Sequence, residues 1–206
     1  MSETERDYAA KRAFDATPEP GATTSGNVDV AAAKPGERFM IHQHHASRLH
    51  FDLRLEMLNG DTPVLASWAV PRNLPLTKRS PHLAVHVEDH PIEYGEFSGT
   101  IPKGNYGAGE VRIFDSGTYD LLEQESGKLT FPLRARRLDG EWHMILPDKN
   151  RKSGSAGRER RSDENEWLVF FRKSFAPPPD EPPELSPMMA TLEREPFDDD
   201  RWLFEP

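Results

Sequence analysis

The chain of 206 residues has the length of one ordinary domain with additional terminal segments. Hydrophobic residues make up 35% and prolines number 19, which predicts a folded centre flanked by segments that bury too little apolar surface to fold. No cysteine is present, which excludes disulfides and cysteine-ligated metal sites, so any metal must be held by His, Asp or Glu. The absence of a signal-peptide core or a membrane-length apolar run indicates a cytoplasmic protein without a membrane partner.

The charge distribution divides the chain into three parts. The net charge is −9 overall, but residues 1–33 contribute −3, residues 174–206 contribute −7 and residues 34–173 contribute +1. We therefore expect a leader of helix and loop at 1–33, a folded domain at 34–173 and a Pro-rich acidic linker with a further segment at 174–206. A nearly neutral central domain is compatible with a local basic face for nucleic acid. An acidic protein with scattered charge is the alternative.

The pattern along the chain predicts a short helix at 4–14, a loop at 17–27 and then many short strands. With few helical periods, this indicates a mainly β fold, an antiparallel barrel or sandwich. A basic segment without apolar residues at 149–165 and a Pro-rich segment at 176–187 predict a loop and a linker. The predicted strands are 48–57, 64–70, 82–88 and 165–173, with one hairpin over 110–124 turning at Ser116-Gly117 and another over 136–146 turning at Asp139-Gly140.

The strand at 48–57 carries a polar stripe that points to metal chemistry. Alternate residues of a strand share a face, so His50, Asp52 and Arg54 lie together, opposite an apolar set. A turn at Ala46-Ser47 would return His44 to the same place. Two imidazoles and one carboxylate suit a divalent ion with positions open for water or substrate, and Arg54 would hold phosphate oxygens.

Other interpretations of this stripe remain open. The histidines at 42, 44 and 45 also fit a polar strand end, and a His/Asp/Arg stripe is often a solvated sheet face. Two histidines with one carboxylate also occur in non-haem iron oxygenases, a different class of enzyme.

Two further segments contain polar residues of interest. His90 precedes a proline, which favours a turn there, and Tyr94 follows it, so the pair suits transition-state stabilisation and a phosphate or sugar contact. Incidental polar residues on a rim loop are the alternative. The glycine-rich segment at 99–109 fits neither nucleotide-binding loop template, and turn or bulge glycines are the favoured interpretation.

These segments together closely resemble the 3′-phosphoesterase domain of bacterial DNA ligase D and its stand-alone relatives. The likeness covers about residues 8–173. The motifs that carry it are KRAFDATPEP (11–20), HHASRLHFDLRLE (44–56), SWAVPR (67–72), VEDHPIEYGEFSGTIPKGNYGAGEV (87–111) and GEWHMIL (140–146).

The resemblance implies a compact antiparallel β-barrel with short peripheral helices. It also implies Mn²⁺, or another divalent transition metal, held by His44, His50 and Asp52. Arg54 and His90 would contact the phosphate in the transition state, with Tyr94 nearby.

The resemblance implies that four more residues take part in phosphate binding. Glu19 matches a carboxylate that reaches back to the site, and His42 stands where the family often has Gln. Arg72 stands where Lys is usual and His82 where Arg is common. Arg72 keeps the charge but not the geometry, and His82 loses charge near neutral pH.

The implied activity has two steps: a phosphodiesterase step removes a terminal ribonucleoside, and a phosphomonoesterase step leaves a 3′-OH. Without a cysteine or a Ser/His/Asp arrangement, direct attack by water is the economical mechanism. The implied partners are DNA 3′ ends, ligase and polymerase domains and a Ku-type end-binding protein, in a nucleoid-associated location. A catalytically weak DNA-end binding module of the same fold is the main alternative.

The last segment, PMMATLEREPFDDDRWLFEP (187–206), resembles the opening of the adenylating ligase domain. That domain continues in relatives into a lysine-bearing motif, and this sequence ends before such a lysine. We therefore expect the sequence to be a truncated piece or the product of a split gene, without ligase activity of its own.

Overall fold

The computed structural model describes residues 8–12, 17–20, 38–125, 127–147 and 165–175. Within these ranges the chain is mostly β-strand, with residues 8–10 helical and a 3-10 helix at Ile92–Glu96. None of the helices in these ranges is long and apolar enough to cross a membrane. The strands are β1 (Arg38–His45), β2 (Leu49–Asn59), β3 (Thr62–Val70), β4 (His82–His86), β5 (Gly99–Ile101), β6 (Gly109–Tyr119), β7 (Glu123–Glu125), β8 (Lys128–Ala135), β9 (Gly140–Ile145) and β10 (Glu166–Ser174).

Eight of these strands close an antiparallel barrel. Their order is β6-β1-β2-β3-β4-β10-β9-β8, and β8 pairs back with β6 to complete the circle. The short strands β5 and β7 extend the sheet beside β6 and β8. The predicted mainly β fold, an antiparallel barrel with short peripheral helices, is confirmed.

Most predicted strands appear near their expected positions. The segments at 48–57, 64–70 and 165–173 are observed as β2, β3 and β10, and the segment at 82–88 is observed as β4. The hairpin predicted over 136–146 is present with different bounds: β8 and β9 are antiparallel neighbours with Leu133 opposite Gly140, but residues 136–139 form the loop and Gly140 begins β9.

The hairpin predicted to turn at Ser116-Gly117 is wrong. These two residues lie within β6, which continues to Tyr119 and pairs with both β1 and β8. Gly117 is opposite Phe39 on one side and Ala135 on the other. A Cβ atom at Gly117 would overlap the carbonyl oxygen of Arg134. Gly117 therefore permits a close approach of two strands where the barrel closes. In the sequence, a glycine with this role cannot be told from a glycine that marks a turn.

Several predicted segments fall partly or wholly outside the described residues. The helix predicted at 4–14 is observed at 8–10, with a turn at Lys11 and no helix at Arg12, and residues 4–7 and 13–14 lie outside the described ranges. The loop predicted at 149–165, apart from Asn165, and the linker at 176–187 also lie outside. The described residues belong to one compact unit that ends at Phe175. The three-part domain division stays a prediction.

Strand β2 is buried on both of its faces. Its apolar residues Phe51, Leu53 and Leu55 are at most 4% exposed and lie on one face, while Asp52 and Arg54 on the other face are also buried. A second layer, made by the leader and the segment around the 3-10 helix, covers this polar face. The residues of that apolar cover and of the sheet beneath it are Tyr8, Met40, Leu65, Ile92, Tyr94, Phe97, Ile101 and Val111.

Candidate metal centre

The β1–β2 hairpin brings three predicted ligands together. Residues 46–48 form the bend between the strands, as the turn predicted at Ala46-Ser47 requires. His44 of β1 is directly opposite His50 of β2, and Asp52 lies two residues along β2 on the same face. Register and alternation thus place two imidazoles and one carboxylate at the same end of the polar face.

The ligand atoms of His44, His50 and Asp52 lie within 4.8 Å of one another. His44 Nδ1 is 3.8 Å from one Asp52 oxygen, and His50 Nε2 is 3.5 Å from the other. These separations exceed those of ordinary hydrogen bonds. Two ligands that each bind one ion at about 2.1 Å lie roughly 3–3.5 Å apart, so a small ligand movement accommodates an ion.

Backbone carbonyls fix the orientation of both imidazoles. His44 Nε2–H donates to the Gly107 carbonyl at 2.9 Å, and His50 Nδ1–H donates to the Arg48 carbonyl at 3.0 Å. In these tautomers the remaining nitrogen of each ring carries a lone pair directed at Asp52. Three electron-rich groups that converge in this way favour a cation between them, and the carbonyl partners are those that metal-bound histidines commonly have. The donor set therefore fits a divalent metal ion.

The carboxylate of Asp52 is held in its charged form. Burial by itself raises the pKa of Asp52, but the positive charge of the neighbouring Arg54 guanidinium outweighs it, and the pKa falls to about 2. Asp52 Oδ2 accepts a hydrogen bond from Arg54 at 3.1 Å. An anionic ligand is thus available at any pH near neutrality.

Arg54 is nearly fully buried, at 2% exposure, and is held by several acceptors. Besides Asp52, its Nε donates to His42 Nδ1 at 3.1 Å and one terminal nitrogen donates to the Ser67 hydroxyl at 2.8 Å. The Tyr94 ring lies 4.7 Å from the guanidinium carbon. Burial and the charge of Arg54 lower the pKa of His42 to about 3, so His42 is neutral and able to accept this hydrogen bond.

His90 and Tyr94 lie next to each other over the polar face, with the Tyr94 ring against Arg54. His90 pairs with Leu65 of β3 through two backbone hydrogen bonds, and the following 3-10 helix carries Tyr94. The two rings are 4.7 Å apart at their centroids. Burial, together with the charges of Arg54 and Arg12, lowers the pKa of His90 well below its usual value. His90 is therefore a neutral imidazole in a strongly cationic environment.

Comparison with known proteins decides the family. Residues 42–146 match the family described as the DNA Ligase D 3′-phosphoesterase domain. The chain belongs to this 3′-phosphoesterase domain family. The match includes all of His44, His50, Asp52, Arg54, His90 and Tyr94.

Similar full-length proteins are multifunctional end-joining proteins. The chain is 39% identical over 178 residues to the multifunctional non-homologous end joining DNA repair protein LigD of Mycobacterium tuberculosis, covering 82% of this chain and 21% of that protein. It is 44% identical over 144 residues to LigD of Pseudomonas aeruginosa, covering 68% of this chain and 16% of that protein. The chain thus spans about a fifth of the length of these relatives.

The leader contributes Arg12, which the sequence analysis did not single out and whose side chain is 4% exposed. Arg12 of the leader donates to Glu19 at 3.0 Å, to Glu88 at 3.1 Å and to His90 Nε2 at 3.1 Å. Its guanidinium also lies 3.9 Å from the Tyr8 ring centroid. In the sequence, only the motif KRAFDATPEP, which contains Arg12, drew attention to this residue. Its contact with His90 could not be predicted from local spacing, because the leader and His90 are far apart in sequence. Glu19, by contrast, was predicted, and it reaches the site through Arg12.

The other predicted phosphate-binding residues have different settings. His42 is fully buried behind Arg54. Arg72 is exposed in the turn after β3, beyond Val70, whose partner on β2 is Phe51. His82 Nδ1–H donates to the Asn73 carbonyl at 2.7 Å. Burial and the charge of Arg72 lower the pKa of His82, and together they outweigh this hydrogen bond, which raises it. The roles of Arg72 and His82 stay predictions.

Proposed function

We propose that this chain is a metal-dependent phosphoesterase that repairs DNA 3′ ends in non-homologous end joining. The observation that carries the proposal is the convergence of two oriented imidazole lone pairs and the Asp52 carboxylate beside the buried cation of Arg54. Membership of the 3′-phosphoesterase family supplies the reaction class. A metal ligand set next to cations is an arrangement suited to phosphate esters.

The residues that would hold the ion are His44, His50 and Asp52. We propose Mn²⁺ or another divalent transition metal, because imidazole with carboxylate is a donor set for such ions. The bound ion would supply Lewis-acid neutralisation of a nonbridging phosphate oxygen.

The protein's own cations would act on the remaining phosphate oxygens. Arg54 directs its terminal nitrogens towards Asp52 and Ser67, and His42 fixes its Nε, so the guanidinium is oriented before substrate binds. His90 Nε2 accepts from Arg12 in this structure while Nδ1–H donates to the Glu88 carbonyl, so His90 would have to gain a proton at Nε2 to donate to a phosphate oxygen. The Tyr94 ring keeps Arg54 in place. These residues would stabilise the charge that develops on the phosphorus oxygens.

Water is the nucleophile that the site favours. The Ser67 hydroxyl donates to the Leu65 carbonyl at 2.8 Å and accepts from Arg54, so it is engaged in both directions. In the first step water oxygen attacks phosphorus and the bond to the 5′ oxygen of a terminal ribonucleoside breaks. In the second step water attacks again, the bond to the DNA 3′ oxygen breaks, and inorganic phosphate and a 3′-OH remain.

The wider setting follows from the relatives' described role in end joining. We propose that the chain cooperates with ligase and polymerase domains and with a Ku-type end-binding protein. A cytoplasmic, nucleoid-associated location stays a prediction.

The test uses primer–templates that end in a 3′-phosphate or in a single 3′-ribonucleotide. The protein, stripped of metal by a chelator and then supplied with Mn²⁺, is expected to produce a 3′-OH from the first and a 3′-phosphate intermediate from the second. DNA binding without turnover under these conditions would favour the end-binding module. Oxygen consumption dependent on iron and a 2-oxoacid would favour the oxygenase.

A further inference from the structure

Tyr106 is an exposed aromatic residue at the edge of the metal centre. It is 48% exposed, which is unusual among the aromatic residues that the structure describes, most of which are buried. It lies in the segment between β5 and β6, directly before Gly107, whose carbonyl accepts the hydrogen bond from His44. The aromatic ring is therefore attached one residue away from a group that orients a metal ligand.

The segment that carries Tyr106 is locally constrained. Asn105 donates from both its backbone and its side-chain nitrogen to the Pro102 carbonyl, and Ala108 donates to the Asn105 carbonyl at 3.2 Å. Gly107 has a φ of +71°, a conformation that a residue with a side chain rarely adopts. Tyr106 is thus presented by a turn with fixed geometry.

Two cations of the leader lie against the Tyr106 ring. Lys11 Nζ and the Arg12 guanidinium carbon are each 5.3 Å from the ring centroid. Arg12 also contacts His90. Tyr106 therefore adjoins the metal ligands through Gly107 and the predicted phosphate-binding residues through Arg12.

We propose that Tyr106 is the stacking platform for the base of the 3′-terminal nucleotide, with Lys11 and Arg12 restraining its ring. This proposal rests on the proposed function, which places the terminal phosphate at His44, His50, Asp52 and Arg54. The base attached to that nucleotide must leave the site across its rim, where Tyr106 offers an exposed π surface. Stacking on one aromatic ring accepts any base, which suits the repair of ends of arbitrary sequence.

A purely structural role for Tyr106 makes a different prediction. If the ring only covers Lys11 and Arg12, removing it changes every substrate equally, whether or not a terminal base is present. If the ring stacks on a base, its effect disappears when the base is absent. The two roles are therefore separated by a pair of DNA ligands rather than by one variant alone.

The experiment measures binding of 3′-phosphate DNA that carries an unpaired terminal 2-aminopurine, and of the same DNA with an abasic terminal sugar. Tyr106→Ala is expected to weaken binding of the first roughly 5- to 100-fold and of the second less than about twofold. Wild type and Tyr106→Phe are expected to quench 2-aminopurine fluorescence, and Tyr106→Ala is not. Leu58→Ala, which removes an exposed side chain near the far end of β2, is the matched control and should behave as wild type.

Equal weakening of both ligands by Tyr106→Ala, or of neither, would overturn the proposal, as would wild-type protein that leaves the 2-aminopurine fluorescence unchanged. Binding and fluorescence do not require turnover. Stacking on Tyr106 by a protein that releases no phosphate would therefore contradict the proposed function and leave this inference standing.

Discussion

The ion pair between Arg54 and Asp52 connects the proposed metal ligands to the cations of the site. Both side chains are buried, and each has further partners that fix its position. A buried charge without a partner is costly, so the pair is stable only while both members are present. In the proposed reaction its role is the orientation that it gives to the guanidinium.

Arg54→Lys tests that orientation. The lysine retains a positive charge near Asp52, but a single ammonium group cannot reach Asp52, His42 and Ser67 with the geometry of the planar guanidinium. We expect release of 3′-phosphate to fall at least about tenfold while the far-ultraviolet circular dichroism spectrum is unchanged. Lys128→Arg, on the exposed ion pair with Glu123, is the control and should retain full activity. Full activity of Arg54→Lys would show that charge alone suffices.

The sequence predicted one part of the site well for a local reason. His50, Asp52 and Arg54 share a face because strand alternation requires it, and a three-residue bend is enough to return His44 to them. Arg12 was missed because its contacts with Glu88 and His90 join segments distant in sequence. No periodicity within the leader carries that information.

At the scale of elements, β6 shows where a local signal misleads. Ser116-Gly117 has the composition of a tight turn, yet the strand continues through it and pairs on both sides. Barrel closure, which depends on strands distant in sequence, determines this. The burial of β2 on both faces could not be predicted from its alternating sequence either. Alternation predicts one apolar face but does not indicate that other residues cover the polar face.

Gly117→Ala tests the role of Gly117 in closure. The added Cβ would overlap the Arg134 carbonyl and contact the Phe39 ring, so either β6 or β8 must move. We expect a decrease of about 1–3 kcal/mol in the free energy of unfolding, measured by urea denaturation. In Gly99→Ala the new atom would lie 3.5 Å from the Phe97 ring, an ordinary contact, and the change should stay within about 0.5 kcal/mol. Equal stability of both variants and wild type would contradict the role assigned to Gly117.

At the scale of the whole molecule, several histidines are partly or fully buried, and their burial favours the neutral form. Burial is the leading cause that lowers the pKa of His82, His86, His90 and His143. In the unfolded chain an imidazole binds a proton near pH ~6.5, whereas in the folded chain these groups do so only at lower pH. The unfolded state therefore binds more protons just below pH ~6.5, and acidification favours it.

The stability of the metal-free protein should consequently fall as the pH drops. Urea midpoints measured in chelator at pH 7.5, 6.5 and 5.5 are expected to decrease in that order. Burial raises the pKa values of Asp89 and Asp115, and this change stabilises the folded state on acidification. Carboxyl groups titrate at lower pH than imidazoles, so this effect acts mainly below the pH range of this experiment. A midpoint that is constant or rises on acidification would contradict the lowered pKa values of these histidines.

We propose that His44, His50 and Asp52 hold the metal ion on which 3′-end hydrolysis depends. His50→Ala removes one of the three ligands. His45→Ala removes the exposed imidazole that follows His44 on β1, and it serves as the matched control. The most direct measurement is phosphate release from a 3′-phosphate primer–template by both variants, together with equilibrium binding of Mn²⁺. His50→Ala should lose at least about 100-fold in rate and bind Mn²⁺ more weakly, while His45→Ala matches wild type. Wild-type rate and Mn²⁺ affinity in His50→Ala would contradict the claim.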